Sequence, residues 1–186
     1  RELEAKEYRK KILNSSHVIL PGVGAFGNAV KQLENYNLLN GILKYAKLNK
    51  PLLGICLGMQ ILLTVSYEFG VHKGLGLIEG KVIKISNEKN KEIKIPHIGW
   101  NEIYPNNNKK EWKNKILKNP LIGKSFYFVH SFICLTKDSD STIAVCNYSD
   151  ISIPAVVATG NVFGCQFHPE KISDNGLAVL KNFCEI

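Results

Sequence analysis

Short, nearly all-apolar runs alternate with stretches of helical periodicity through the first third of the chain. An apolar run of strand length is typical of a buried strand, and apolar residues three and four positions apart predict one buried helix face. The elements predicted in this way are a helix over 3–12, a strand over 16–20 that ends at Pro21, two helices within 26–50 with a break near 35–37, a strand over 51–55 and a helix over 57–66. This alternation predicts a parallel sheet covered on both faces.

The second half has a different pattern, because strand-length runs follow one another with few helical stretches between them. The predicted strands are 81–86, 125–130, 145–148, 155–158 and 162–167, and the last element is a helix over 175–183. We therefore expect this half to be strand-rich and partly antiparallel. An Asn/Lys tract near 106–115 is compositionally biased, and we interpret it as a loop and a short helix.

Length and composition fit a single domain. The chain has 186 residues, of which 45% are hydrophobic, so it can bury a sizeable core. No apolar run approaches the roughly 20 residues that span a bilayer, and the first residues do not resemble a secretory signal, so we expect a cytoplasmic protein that binds no membrane. The five cysteines contain no C-x-x-C pair. They argue for reduced thiols rather than a disulfide framework or a zinc site.

The net charge of +8 raises nucleic acid as a possible partner. The lysines, however, are scattered among Asn and Glu, and no glycine-rich or aromatic RNA-binding signature accompanies them. We therefore expect a solvated, lysine-rich surface that binds no nucleic acid. Such a surface is still compatible with docking to an acidic protein face.

The candidate chemistry begins with Cys56, which follows the predicted strand over 51–55. A sharp strand-to-helix bend lifts its central side chain clear of the sheet, as in a nucleophile elbow, and Gly54 and Gly58 leave room for the crossing. The helix N-terminus is expected to favour the thiolate, and the Leu57 amide points to where an oxyanion would form. A lone cysteine in an apolar segment can equally be a small core residue.

His168 and Glu170 favour the catalytic interpretation. On an extended segment, residues two apart project to the same side, so Glu170 can fix the ring tautomer while the other ring nitrogen faces a substrate. A thiol, a base and a carboxylate are the components of a nucleophilic triad. Taken singly, His168 could be a hydrogen-bonded core histidine and Glu170 a solvated carboxylate.

These residues resemble the signature blocks of the class I, or triad-type, glutamine amidotransferases. Residues 51–60 match one block and residues 167–170 match the other. More narrowly, the chain is similar to the family of glutaminase subunits of imidazole glycerol phosphate synthases. The blocks that carry this narrower likeness are 20–27, 74–78, 96–101 and 127–132. The resemblance implies one amidotransferase domain over 1–186, with a flavodoxin-like three-layer α/β fold and a mostly parallel central sheet.

The resemblance also implies the chemistry. Cys56 would attack the amide carbon of glutamine, with His168 as base and Glu170 orienting it, to give glutamate and ammonia without a metal or other cofactor. Besides the Leu57 amide, a flip of the Val23–Gly24 peptide would supply an oxyanion donor, which glycines at 22 and 24 make easy. The other implied contacts are Gly54, Gln60, Ser131 and Phe132 for the substrate, and Tyr127 and Lys171 for a partner subunit.

The implied partner is a (βα)8 synthase subunit, which would form a heterodimer with this chain and receive the ammonia. It would make imidazole glycerol phosphate and an aminoimidazole carboxamide ribotide in histidine biosynthesis. Family members begin with a further strand, turn and helix, so we expect that N-terminal βα unit to be missing from this chain.

Three other interpretations stay open from the sequence. They are a related glutaminase that supplies ammonia for surface-sugar amidination, a non-catalytic scaffold, and a cysteine peptidase on the same fold. The presence of all three triad residue types argues against the scaffold. Gln60 and the loop around Val23 argue against the peptidase.

Overall fold

The computed structural model describes residues 2–86, 93–171 and 173–186. Its helices are α1 (Glu2–Asn14), α2 (Phe26–Asn35), α3 (Leu39–Lys47), α4 (Leu57–Ile61) and α5 (Asp174–Cys184). Its strands are β1 (Val18–Gly22), β2 (Leu52–Cys56), β3 (Leu63–Ser66), β4 (His72–Lys73), β5 (Ile78–Lys84), β6 (His97–Pro105), β7 (Ser125–His130), β8 (Phe132–Thr136), β9 (Thr142–Tyr148), β10 (Ile151–Thr159) and β11 (Val162–Cys165).

The main sheet has seven strands in the order β1-β2-β11-β10-β9-β6-β7. β1 and β11 run parallel to β2, whereas the pairings from β11 through to β7 are antiparallel. The parallel part is therefore smaller than the mostly parallel sheet that we predicted. β9, β10 and β11 are joined by two-residue turns, which allow only antiparallel neighbours. The strand-rich, partly antiparallel second half is confirmed.

A smaller sheet, in the order β4-β3-β5-β8, packs beside the main one. Its strand β3 covers residues that we had assigned to the helix over 57–66, so the second half of that prediction is wrong. Thr64 and Val65 are β-branched and favour extended backbone, and β3 pairs in parallel with β5. Helix α4 consequently ends at Ile61.

The remaining predicted helices are present. The break between α2 and α3 falls at residues 36–38, and α5 is capped at Ser173, whose hydroxyl accepts from the Gly176 N–H. Within the described residues, no helix is both long and apolar enough to cross a membrane.

Strand β2 lies at the centre of the molecule, and all of its residues are buried. Leu52 belongs to a hydrophobic cluster formed with α2, α3 and the smaller sheet, whereas Leu53 and Ile55 belong to a second cluster formed with α5 and the antiparallel strands. Because side chains alternate along a strand, β2 contributes to both clusters. Its carboxyl end, at Cys56, is therefore enclosed by packed residues from both sides.

Candidate active site

The bend predicted at Cys56 is present, where β2 passes directly into α4. Cys56 has φ 53° and ψ −108°, a combination that side-chain-bearing residues rarely adopt. A Cβ atom at Gly58 would lie 1.7 Å from the Leu20 carbonyl oxygen, and one at Gly54 would lie 2.6 Å from the Gly58 carbonyl. Glycine at both positions thus allows α4 to cross closely over β1 and β2.

The thiol of Cys56 is buried among polar partners. It donates to the Val129 carbonyl at 3.9 Å, and Gln166 Nε2 donates to the sulfur at 3.7 Å. Burial nevertheless raises the pKa of Cys56 to about 11, and the nearby Glu170 carboxylate adds to the rise. The expected preference for the thiolate is therefore wrong for this arrangement, because loss of hydration outweighs the hydrogen bonds from Gln166 and the Leu57 amide.

His168 and Glu170 meet through a turn rather than along the extended segment we predicted. His168 Nδ1 lies 2.6 Å from Glu170 Oε1, and the turn is closed by the Lys171 N–H donating to the His168 carbonyl. The His168 N–H donates to the Tyr127 carbonyl in β7, which fixes the backbone. With Nδ1 donating to the carboxylate, Nε2 carries the lone pair.

The Nε2 atom of His168 is buried and has no hydrogen-bond partner among the described residues. The ring lines the same cavity as Cys56. A buried lone pair without a donor is costly unless a ligand or a reacting group satisfies it. This nitrogen is therefore available to take a proton from the thiol or to meet a bound substrate.

The shared cavity has a volume of about 360 Å³. Most of the predicted substrate and oxyanion residues lie on its wall, and the full lining is Val23, Gly24, Cys56, Leu57, Gln60, Glu68, Phe69, Val129, His130, Ser131, Phe132 and His168. Gly54 does not line it. Its place inside β2 against the Gly58 backbone gives it a packing role instead of the predicted substrate contact.

Several residues in the site were not predicted, and two of them make hydrogen bonds that shape it. Glu68 is buried on the cavity wall, and its carboxylate accepts from the Phe26 N–H at 2.5 Å, where α2 begins without a side-chain cap of its own. Gln166 joins two predicted residues, because its Oε1 accepts from Gln60 Nε2 at 3.3 Å while its own Nε2 faces the Cys56 sulfur. The one available signal for Gln166 was its position two residues before His168.

Comparison with known proteins identifies the family. The model of the class-I glutamine amidotransferase family matches residues 2–186. The chain is a class I glutamine amidotransferase. This amidotransferase is 42% identical over 179 residues to the imidazole glycerol phosphate synthase subunit HisH 1 of Legionella pneumophila (strain Lens), covering 95% of this chain and 84% of that relative. It is 44% identical over 177 residues to the HisH subunit of Wolinella succinogenes, covering 95% and 83%.

The fold of the amidotransferase also matches solved structures. The structure of PurLQS from Thermotoga maritima superposes with a TM-score of 0.62 at 23% identity, covering 92% of this chain and 80% of that one. The predicted α/β amidotransferase fold is thereby confirmed.

The loop that follows β1 in the amidotransferase is loosely packed. Val23 is 81% exposed although it lines the cavity, and Gly24 has φ +97°. A Cβ atom at Gly24 would meet nothing within 4 Å. Backbone conformation, rather than lack of space, therefore requires glycine at this position.

The outer side of β6 and β7 exposes an apolar surface, which we call the β6–β7 face. It consists of Ile98 and Trp100 on β6 with their partners Val129 and Tyr127 on β7. Lys171 Nζ lies 5.8 Å from the Tyr127 ring centroid, in a cation–π contact. Exposed aromatic and aliphatic residues gathered on one patch are typical of a protein interface.

Proposed function

We propose that this amidotransferase hydrolyses glutamine to glutamate and ammonia through Cys56. The observation that carries the proposal is the placement of Cys56 and His168 on one cavity, with Glu170 on one ring nitrogen of His168 and no partner for the other in the part of the chain that the structure describes. A thiol whose pKa is raised to about 11 stays protonated until a base accepts its proton. The lone pair of His168 Nε2 supplies that base.

The reaction follows from these positions. The Cys56 sulfur bonds to the amide carbon while its proton passes to His168 Nε2, and the negative charge moves to the carbonyl oxygen. His168 then protonates the leaving nitrogen, so ammonia departs and a thioester remains. Water, deprotonated by His168, cleaves the thioester and returns glutamate and the thiol. The Leu57 amide and a flipped Val23–Gly24 peptide stabilise the oxyanion.

The rest of the cavity wall binds the amino-acid end of glutamine. The buried carboxylate of Glu68 suits the substrate ammonium, since opposite charges attract strongly where water is excluded. Gln60 and the Ser131–Phe132 turn form a further part of the wall, joined by the hydrogen bond from Gln60 Nε2 to the Phe132 carbonyl. These contacts fix the amide over the sulfur.

The relatives' names support the role of glutaminase subunit of imidazole glycerol phosphate synthase in histidine biosynthesis. We propose that the acceptor of ammonia is a (βα)8 synthase subunit that docks on the β6–β7 face, against Tyr127 and Lys171. The backbone of β7 supports this placement, because its Tyr127 carbonyl holds His168 and its Val129 carbonyl accepts from Cys56. A partner on this face would thus act directly on both catalytic groups.

The test is ammonia release from glutamine, measured with and without the synthase subunit. Cys56→Ala should abolish release, whereas Cys184→Ala, which removes an exposed cysteine, should leave the rate unchanged. His168→Ala should lower turnover about 10²-fold or more, and Glu170→Gln should lower it less, since orientation is weakened while the base remains. Wild-type turnover in Cys56→Ala would refute the proposal.

A further inference from the structure

Beneath the β6–β7 face, two histidines lie side by side in the core. His97 and His130 are paired across β6 and β7, with 0% and 6% of their surfaces exposed. The ring of His97 also stacks on Phe128 and Tyr148, at centroid distances of 4.9 Å and 4.1 Å. Polar rings are placed in such apolar surroundings only at a cost in free energy, unless their nitrogens are hydrogen-bonded.

Three hydrogen bonds reach all four ring nitrogens of this pair. His97 Nδ1 lies 2.9 Å from His130 Nε2, and His97 Nε2 lies 2.9 Å from the side-chain amide of Asn101. His130 Nδ1 lies 2.9 Å from the Phe132 carbonyl oxygen. The pair therefore links a residue of β6 to the wall of the substrate cavity.

The positions of the protons follow from the acceptor at the inner end. A carbonyl oxygen only accepts, so His130 Nδ1 must carry a proton. Burial lowers the pKa of both histidines, that of His130 to about 4, so both rings are neutral near pH 7. His130 Nε2 is then an acceptor, and His97 Nδ1 donates to it. His97 Nε2 in turn accepts, which requires the Asn101 amide to turn its nitrogen, rather than Oδ1, towards the ring.

In each hydrogen bond of the pair the donor thus lies on the outer side and the acceptor on the inner side. The last acceptor is the Phe132 carbonyl oxygen. That oxygen also accepts from Gln60 Nε2 at 3.3 Å. The second N–H of the same amide donates to Gln166, which donates to the Cys56 sulfur. The orientation of the Ser131–Phe132 turn is consequently fixed from the core side by histidines and from the cavity side by Gln60.

We infer that His97 and His130 are positioning residues for glutamine, acting through the Ser131–Phe132 turn on the wall that binds the amino-acid end of the substrate. The inference rests on the proposed glutaminase function. It extends that function to His97, which does not line the cavity and exchanges no proton with the substrate. Loss of the pair should weaken binding of the substrate while leaving the chemical step nearly intact.

The decisive variants change one property of His97 at a time. His97→Phe keeps a ring to stack on Phe128 and Tyr148 but removes the donor to His130. His97→Asn removes the ring but places an amide N–H near the position of Nδ1, so it should restore the bond. Tyr148→Leu is the matched control, because it removes a stacking partner and leaves the three hydrogen bonds of the pair in place.

With the synthase subunit present, His97→Phe should raise the KM for glutamine about tenfold with kcat changed less than about threefold. His97→Asn should return KM to within about threefold of wild type, while Tyr148→Leu should lower Tm with KM unchanged. If the wild type is active and His97→Phe has the wild-type KM for glutamine, the positioning role is overturned. An equal rise of this KM in Tyr148→Leu also overturns it. A wild type that releases no ammonia overturns the proposed function instead.

A measurement on the wild type holds even if His97→Phe does not fold. Long-range proton–nitrogen NMR correlations of the imidazoles should show both rings as neutral Nδ1–H tautomers at pH 7. An imidazolium pattern, or an Nε2–H tautomer at either residue, overturns the inward direction of the chain of donors.

Discussion

The side chain of Cys56 is neutral near pH 7, since burial raises its pKa to about 11. The Leu57 amide and Gln166 favour the thiolate, but removal from water outweighs them. In the proposed reaction the proton therefore leaves during attack, and His168, the proposed base, lines the same cavity. This order of events distinguishes the site from those in which a thiolate is formed in advance.

The first prediction is that iodoacetamide inactivates the chain alone in proportion to the small thiolate fraction. The rate of labelling at Cys56 should rise about tenfold per pH unit between roughly pH 7 and pH 10, since the raised pKa lies above this range. Peptide mass spectrometry over this range provides the measurement. Labelling of the exposed Cys184 in the same samples is the control, because an unlabelled Cys184 would show that the reagent was exhausted. A rate that levels off below about pH 8 would contradict it and indicate a thiolate already paired with protonated His168.

Residue type and local spacing were enough to select Cys56, His168 and Glu170 as candidates, and the structure places His168 against Glu170 and on the cavity that Cys56 lines. Glu68 and Gln166 could not be found in this way, because their roles depend on distant partners. The Glu68 carboxylate meets the Phe26 N–H, 42 positions away, and Gln166 meets Gln60, 106 positions away. A carboxylate in a predicted loop is ordinarily solvated, so nothing local marked Glu68 as buried.

Among the elements, the loop after β1 has a conformation that determines whether a substitution at Gly24 raises or lowers glutaminase activity. Flipping the Val23–Gly24 peptide rotates ψ of Val23 and φ of Gly24 by about half a turn each. Gly24 now has φ +97°, and the flip brings it to about −83°, which every residue can adopt. A side chain at position 24 therefore penalises the present arrangement and not the flipped one.

We accordingly predict that Gly24→Ala raises the glutaminase activity of the chain without its partner by about tenfold, since positive φ costs a side-chain-bearing residue roughly 1–2 kcal/mol. Gly76→Ala is the matched control. Gly76 also has positive φ and free space at its Cβ, but it does not line the cavity, so stability should fall and activity should not change. Ammonia release and thermal unfolding of both variants give the answer. Unchanged or lower activity in Gly24→Ala would count against the flip.

The sequence pattern predicted elements well where local and tertiary preferences agree, as in α2, α3 and β7. It was wrong for β3, because pairing with β5 extends a segment whose apolar spacing also fits a helix. It missed β6 altogether. That strand directs Ile98 and Trp100 outward and His97 inward, the reverse of an ordinary half-buried strand. The outward apolar residues form the proposed docking face, and the inward histidine belongs to the buried pair. Both departures from the usual strand pattern therefore occur at features with proposed roles.

For the whole molecule, the β6–β7 face gives a prediction about assembly. Trp100→Glu should weaken binding of the synthase subunit at least tenfold, because a charge replaces an exposed aromatic residue of the face. Leu177→Glu is the control, since Leu177 is similarly exposed, at 59% against 51% for Trp100, but lies on α5. Isothermal titration calorimetry measures the affinities. Equal affinities for the two variants would exclude this face as the docking site.

A second prediction at this scale concerns acid stability. Burial lowers the pKa of His130 from 6.5 to about 4, so the unfolded chain takes up the proton first as the pH falls. The contribution of neutral His130 to the free energy of unfolding is therefore fully present above about pH 6.5 and is lost as the pH falls to about 4. Between pH 7 and pH 5 the free energy of unfolding should fall by about 2 kcal/mol from this residue.

Urea unfolding at the two pH values measures this loss. His130→Asn removes the titrating ring but keeps a donor for the Phe132 carbonyl, so its stability should depend less steeply on pH than that of the wild type. Parallel pH profiles for the two proteins would show that His130 is not kept neutral by the fold.

The close approach of Gly58 to the Leu20 carbonyl has a consequence for how such a chain can change. Helix α4, which begins directly after Cys56, lies so close to β1, which leads into the Val23 loop, that the Leu20 carbonyl leaves no room for a side chain at position 58. Any larger residue at position 58 would force the helix away from the strand. The spacing between the sulfur and the loop is thus a fixed dimension of the scaffold. The docking face and the pocket rim can diverge to suit a new partner while that spacing stays constant.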